Sequence, residues 1–205
     1  MTRKLDLTKP CADRSRPRIG GGALIGAVVD WPASPDRVPL TLVMSLPARF
    51  VNLHGDCQLP DHQFVSVFSD YRNDAYFLDA ITYHGSPDKL ALLRQGYTRV
   101  LMHRRGHEVF GPVTIPAMDM LVQERDAAAV WAGGSRIGGQ ASLLQAEPLE
   151  PLDGRFILQL YAGDFPHPHR DVFGLSNAAG FLFIDPMGIG DPTSLDIGSF
   201  FVQTT

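Results

Sequence analysis

Cysteine is nearly absent from the chain: Cys11 and Cys57 are the two in 205 residues. That is too few for a disulfide framework, and neither sits in the Cys-x-x-Cys pattern of a structural zinc site, so a reducing compartment is the expectation. Long apolar runs are missing as well. The longest, Ala23 to Val29, falls far short of the roughly 20 residues that span a bilayer. The opening MTRKLDLTKPC carries basic residues with no apolar stretch of the signal-peptide kind. Cys11 follows Lys9-Pro10, which is not a lipoprotein cleavage context. A cytoplasmic protein, with no membrane partner, is therefore expected. Positive charge is also in deficit, 18 Lys/Arg against 22 Asp/Glu, and an acidic total argues against general nucleic-acid binding.

Glycine and proline are abundant, at 20 and 16, which favours many short strands joined by turns over a helical bundle. Residues 1–17 show no periodicity and read as a loose arm. Behind it, Arg18-Ile19-Gly20-Gly21 recurs 118 residues later as Arg136-Ile137-Gly138-Gly139. The same offset lays Pro39-Leu40-Thr41-Leu42 over Ile157-Leu158-Gln159-Leu160, both alternating as strands do. Further on, Phe64 to Asp70 and Phe181 to Asp185 are aromatic-apolar runs that end in an aspartate. Three features in one order predict two related halves, 18–132 and 133–205, within residues 18–205. The expected fold is α+β and β-rich, with duplicated antiparallel halves and one or two short helices.

Strands are expected at Val38–Leu46, Gln63–Phe68, Ala75–Tyr83, Arg155–Ala162, Phe181–Ile184 and Ser199–Gln203, with a polar connection over Asn52–Asp61. Ser86-Pro87-Asp88 supplies a capping residue, a first-turn proline and an acid at the positive end of a helix dipole, so a helix should run to Leu93 or Arg94. Asp119 to Trp131 places apolar residues at helical spacing and predicts the one long helix. Tyr97 to Phe110 reads as a hairpin turning at Arg104-Arg105-Gly106.

Candidate chemistry is thin. Gly20-Gly21-Gly22 lacks the spacing of a phosphate loop. His103 and His107 have metal-ligand spacing that works only on a helix. His167-Pro168-His169 with Asp164 and Asp171, and Cys57 with His54 or His62, are loose gatherings. Gly174-x-Ser176-x-Ala178 lacks the strand and helix of a nucleophile elbow. No catalytic residue, metal ligand or cofactor site is singled out. Charge is uneven: residues 1–107 hold 14 Lys/Arg against 10 Asp/Glu, and residues 108–205 hold 4 against 12. Arg94, Arg99, His103, Arg104, Arg105 and His107 concentrate basic character within fourteen positions. Arginine forks suit carboxylates, so this cluster is the expected partner-binding surface.

Ile19-Gly20-Gly21, Trp31-Pro32, the strand Pro39 to Leu46 and Phe64 to Asp70 form one block. Ile137-Gly138-Gly139, Leu144-Gln145, Ile157-Leu158-Gln159-Leu160, Ser176 to Gly180 and Phe181 to Ile184 form a second. In this order the chain resembles the YwqG-like family, the DUF1963 domain of unknown function, over about residues 18 to 186. It departs from the pattern in having no proline after either Gly-Gly turn, and Asn177 where Gly-Asp is expected. The resemblance implies a duplicated β-rich fold with no established enzymatic activity. Family members beside toxin and secretion-system loci look like immunity proteins. The resulting expectation is a non-enzymatic bacterial immunity protein that occludes a cognate toxin. The alternatives are a small-molecule binder or hydrolase using a cleft between the halves, lined by the Gly-Gly turns, or a structural subunit.

Overall fold

A computed structural model describes residues 2–72, 75–126, 134–145, 154–185 and 195–204. Within them the chain forms strands β1 Arg3–Asp6, β2 Arg18–Ile19, β3 Ala23–Gly26, β4 Thr41–Pro47, β5 Gln63–Ser69, β6 Thr98–Arg104, β7 His107–Val109, β8 Met118–Asp119, β9 Leu121–Asp126, β10 Arg136–Ile137, β11 Arg155–Tyr161, β12 Ala179–Ile184 and β13 Gly198–Gln203. Three short helices join them: α1 Ala48–Gly55, α2 Leu78–Ile81 and α3 Pro87–Leu93. The fold is α+β and β-rich, built on three antiparallel sheets.

The two larger sheets follow one plan. The first runs β6-β5-β4-β2-β8 and the second β13-β12-β11-β10-β1-β9. In the first, Arg18 and Ile19 pair with Ser45 and Met44; in the second, Arg136 and Ile137 pair with Gln159 and Leu158. The long strand next to each short one is bulged, between Leu42 and Met44 in β4 and between Phe156 and Leu158 in β11. Each bulge carbonyl accepts from the Gly-Gly turn: Gly20 N–H donates to Val43 O at 2.9 Å and Gly138 N–H to Ile157 O at 2.8 Å. All four turn glycines hold positive φ, 58° and 78° at Gly20 and Gly21, 73° at Gly138 and Gly139, which is glycine's particular use. The aspartates that end each apolar run also correspond, with Asp70 N–H donating to Tyr97 O and Asp185 N–H to Ile197 O.

The pairing corrects the expected alignment. Val43 to Ser45, not Pro39 to Leu42, occupies the place of Ile157 to Gln159. The first half's connection from the glycine turn to the bulge is four residues longer, and it carries β3 and the Trp31 loop. A constant offset holds at the turn and fails beyond this insertion.

Strands β4 and β5 are buried along nearly their whole length, which explains their almost continuous apolar sequence. One face lies on the main core, shared by Val43, Leu46 and Val65 of the first sheet with Ile157, Leu158 and Leu182 of the second. The other is covered by the β3–β7 ribbon, whose Ala23 and Ile25 pack with Leu40, Leu42, Phe68 and Leu101. Trp31 closes that cluster, edge-on to Phe68 at 5.4 Å and donating Nε1–H to Leu40 O at 2.8 Å.

Several expectations are overturned. The N-terminal arm contains β1, which pairs with β10 and β9 in the second sheet. The predicted helix at Asp119–Trp131 is strand over its described part. Buried Met120 separates β8 in the first sheet from β9 in the second, so the apolar spacing serves two sheet partners instead of one helix face. Ala127–Trp131 lie outside the described residues. The 97–110 hairpin is not a hairpin: β6 pairs with β5, and β7 with β3. Ala75–Tyr83 holds helix α2, with one bridge at Thr82. The expected polar connection after Pro47 begins with α1, whose Ala48, Val51 and Gly55 face inward. At Gly55 a Cβ would lie 2.5 Å from Ile157 Cδ1, so glycine permits the close approach to β11. The expected helix after Ser86 forms, its hydroxyl accepting from Lys89 N–H.

Candidate ligand groove

Two connections meet at a groove of about 630 Å³, lined by Tyr71, Arg72 and residues 75–78 from one side and by Pro168, His169, Asp171, Gly174 and Leu175 from the other. The first segment leaves β5 just after Asp70; the second lies between β11 and β12. Each is pinned by buried rings. Phe173 packs edge-on to Phe165 at 5.4 Å and tilted to Phe200 at 5.7 Å. Tyr71 stands edge-on to Phe77 at 5.8 Å and to His169 at 6.0 Å. Gly174 has φ of 82°, and a Cβ there would crowd the Leu78 side chain at 3.1 to 3.2 Å. Here the two walls touch.

A hydrogen bond spans the walls: Tyr71 donates its hydroxyl to Asp171 Oδ1 at 2.7 Å. Burial, then that bond and the Asp171 charge, push the phenol well above its ordinary range, so it remains a donor at neutral pH. Burial lowers the His169 pKa, with His167 adding to the effect and Asp171 opposing it; its imidazole is neutral at pH 7. Arg72 grips buried Asp70, with Nε 2.9 and 3.1 Å from its two oxygens and Nη2 at 2.6 Å, and reaches Asp36 at 3.4 Å. The hydrogen bond to Asp70 leads in holding the guanidinium's pKa above normal. Tyr76 and Leu175 are 74% and 45% exposed. The groove thus combines aromatic walls, one oriented carboxylate, a neutral imidazole and an arginine already engaged by two acids.

The expected basic surface is divided. Arg94 caps the end of α3 and, with Arg99, lines a separate hollow of about 270 Å³. Arg99 is ion-paired to Asp196 at 2.6 Å. His103 is buried: its Nδ1 faces Arg104 O and its Nε2 faces Ser66 Oγ, both at 2.8 Å. Burial lowers its pKa. Arg104 and Arg105 project at the β6–β7 turn, while exposed His107 lies on β7 with its ring against Gly26. The structure brings Arg104 and Arg105 together on the surface and turns His103 away from it.

The other sequence candidates are also placed. Asp164 accepts from Ser135 N–H at 2.9 Å. Burial raises the Cys57 thiol, whose Sγ–H donates toward Gly55 O, and His54 stacks edge-on to Phe50. Ser176 sits in an exposed turn before β12. Among the described residues no group of three His, Cys, Asp or Glu is placed to hold a metal. None of the Gly-Gly turns lines the groove. Sequence reasoning named His169 and Asp171 but missed Tyr71, Arg72 and Phe77. Tyr71 and Asp171 are 100 positions apart, and no local spacing joins them.

No family model matches the chain, and no curated protein matches it.

Proposed function

We propose that the protein is a non-enzymatic binding protein and that the groove between its two connections is where a partner protein docks. The observation that carries this reading is the pair of large exposed apolar side chains, Tyr76 and Leu175, facing a groove with fixed walls. Aromatic anchors around a desolvated pocket supply most of the affinity in protein interfaces. The resemblance to the YwqG-like family directs the reading toward a bacterial immunity protein, met in the cytoplasm by a cognate toxin whose active site it occludes. The matched registers of the two sheets support the duplicated architecture that the resemblance implies. Exposed Arg104 and Arg105 would then speed association with an acidic toxin surface through charge complementarity.

The test is co-purification with the product of the adjacent reading frame. Tyr76→Asp combined with Leu175→Asp should weaken the complex by roughly 100-fold or more, as loss of two anchors does. The fold should survive, since both side chains are exposed. An undiminished complex would move the partner elsewhere. A second reading, a small molecule in the same groove, is favoured by its volume, which falls in the range of ligand pockets. A non-protein mass in the native mass spectrum of the purified chain would select it.

A further inference from the structure

We infer that the groove is a cation seat, and that its occupant is a basic side chain, arginine or lysine, presented by the partner protein; this rests on the partner-binding reading above. The charges around the groove are unequal. Asp36, Asp70 and Asp171 stand against Arg72, whose Nε and Nη2 are engaged by the first two. Asp79 lies beside Tyr76, whose hydroxyl donates to it at 3.3 Å, and is offset by Lys89 at 3.8 Å. Arg170 donates toward Phe165 O and lines a different hollow. Among the described residues, Asp171 is therefore the carboxylate that lines the groove without a cation beside it, and the Tyr71 hydroxyl fixes one of its oxygens in place.

The rest of the lining suits the same ligand. Tyr71, Tyr76 and Phe77 bring three aromatic rings to one groove, and the negative faces of such rings attract a guanidinium or ammonium. The alkyl stem of a basic side chain would lie against Leu78 and Leu175, as such stems do on apolar surface. An anion would meet the Asp171 carboxylate. A neutral apolar group would strip water from that carboxylate and return nothing to it. Only a cation with an apolar stem answers both the rings and the acid.

The experiment is an NMR-monitored titration of the purified chain with N-acetyl-arginine amide, N-acetyl-lysine amide, N-acetyl-leucine amide, N-acetyl-glutamate amide and tetramethylammonium. The arginine and lysine compounds should shift the ring signals of Tyr71, Tyr76 and Phe77 and saturate. The leucine and glutamate compounds should not. Asp171→Asn should weaken arginine binding by about five-fold or more with the melting temperature unchanged, because the amide oxygen still accepts the Tyr71 proton. Equal binding of leucine or glutamate, or an unaffected Asp171→Asn variant, overturns the inference. Tetramethylammonium bound about ten-fold tighter than arginine assigns the seat to a free quaternary ammonium and overturns the side-chain occupant. The two readings separate cleanly. A partner complex broken by Tyr76→Asp and Leu175→Asp with no cation preference keeps the docking site and removes the cation. A complex that survives that double variant removes the partner from the groove, and with it the presented side chain.

Discussion

The two large sheets solve one problem in two ways. Each carries polar residues on the face that bears its short-strand arginine, at corresponding positions: Arg18, Ser45 and His103 in the first, Arg136, Gln159 and Gln203 in the second, with Phe181 standing where the first sheet has Ser66. Both arginines turn back on their own glycine turn, Arg18 Nη2 donating to Gly22 O and Arg136 Nη2 to Gln140 O, four residues on in each case. Beyond the arginine they diverge. Ser45, Ser66 and His103 form a chain of side-chain hydrogen bonds within the sheet. Gln203 reaches out instead, accepting from Leu144 N–H and donating to Tyr83 O, while Gln159 donates to Gly134 O. A buried polar group must find partners. The first sheet supplies them from neighbouring strands, and the second uses longer amides to hold its loops down. The remaining area differs to match: the second sheet lays Phe181 and Phe201 against Tyr83 and Leu93, where the first has Ser66 and Leu101.

The sharpest break in this comparison lies in the glycine turns. At Gly20 a Cβ would sit 2.5 Å from Ile115 O and 2.9 Å from Ile115 C, both backbone atoms. At Gly139 it would meet the Thr2 side-chain hydroxyl, which can rotate away about χ1. Both positions hold positive φ. Gly139→Ala should therefore cost about 1–2 kcal/mol, the left-handed backbone alone. Gly20→Ala should cost about 3–4 kcal/mol, since displaced backbone adds to the same strain. Urea midpoints of the two variants measure the gap; equal losses would mean the turns are equally tight.

A smaller effect separates His103 from Gln203. Burial holds the folded-state pKa of His103 below its unfolded value near 6.5. A depressed histidine pKa means that the unfolded chain binds the proton first. The stability is thus present above about pH 6.5 and is lost as pH falls toward the folded pKa. Placing the second sheet's residue in the first, His103→Gln, should cost about 1 kcal/mol at pH 7 through the lost Ser66 bond. The deficit should shrink at pH 5, where the wild type has weakened. His54 and His169 are depressed by burial too, so the variant's own acid sensitivity should fall without vanishing. Parallel slopes for both proteins between pH 7 and 5 would remove His103 from the account.

Local chemistry was readable where it acts on neighbours, and unreadable where the partner is remote. The Ser86-Pro87-Asp88 start of α3 and the strands around Ile157 and Phe181 follow from adjacent residues, and each stands in the structure. The repeated Arg-Ile-Gly-Gly marked both turns because their φ values demand glycine. Leu121 and Val122 looked helical because apolar spacing does not reveal that β1, over 100 residues earlier, would pair with them. His103 looked like surface because a run of basic residues hides which one points inward; burial between Ser66 and Phe64 decides it. The groove was legible only in its second wall, through His169 and Asp171.

The smallest effect concerns the seam between the sheets. Thr98 and Gly198 hold matched places, opposite Ser69 in β5 and Ile184 in β12. Thr98 donates its hydroxyl to Phe200 O at 2.6 Å, joining β6 to β13. A side chain at Gly198 would lie 2.1 Å from Phe183 O, so the matched position has no room to do the same. The seam is reinforced by backbone bonds, Ile197 N–H to Val100 O at 2.9 Å and Met102 N–H to Leu195 O at 2.8 Å. Thr98→Val keeps the shape and deletes the hydroxyl, leaving Phe200 O one donor short, at a cost of about 1 kcal/mol. Because the backbone bonds and the shared core remain, urea unfolding should stay a single transition with an unchanged slope. A transition split in two by so small a change would show that the hydroxyl, more than the core under both sheets, makes them unfold as one.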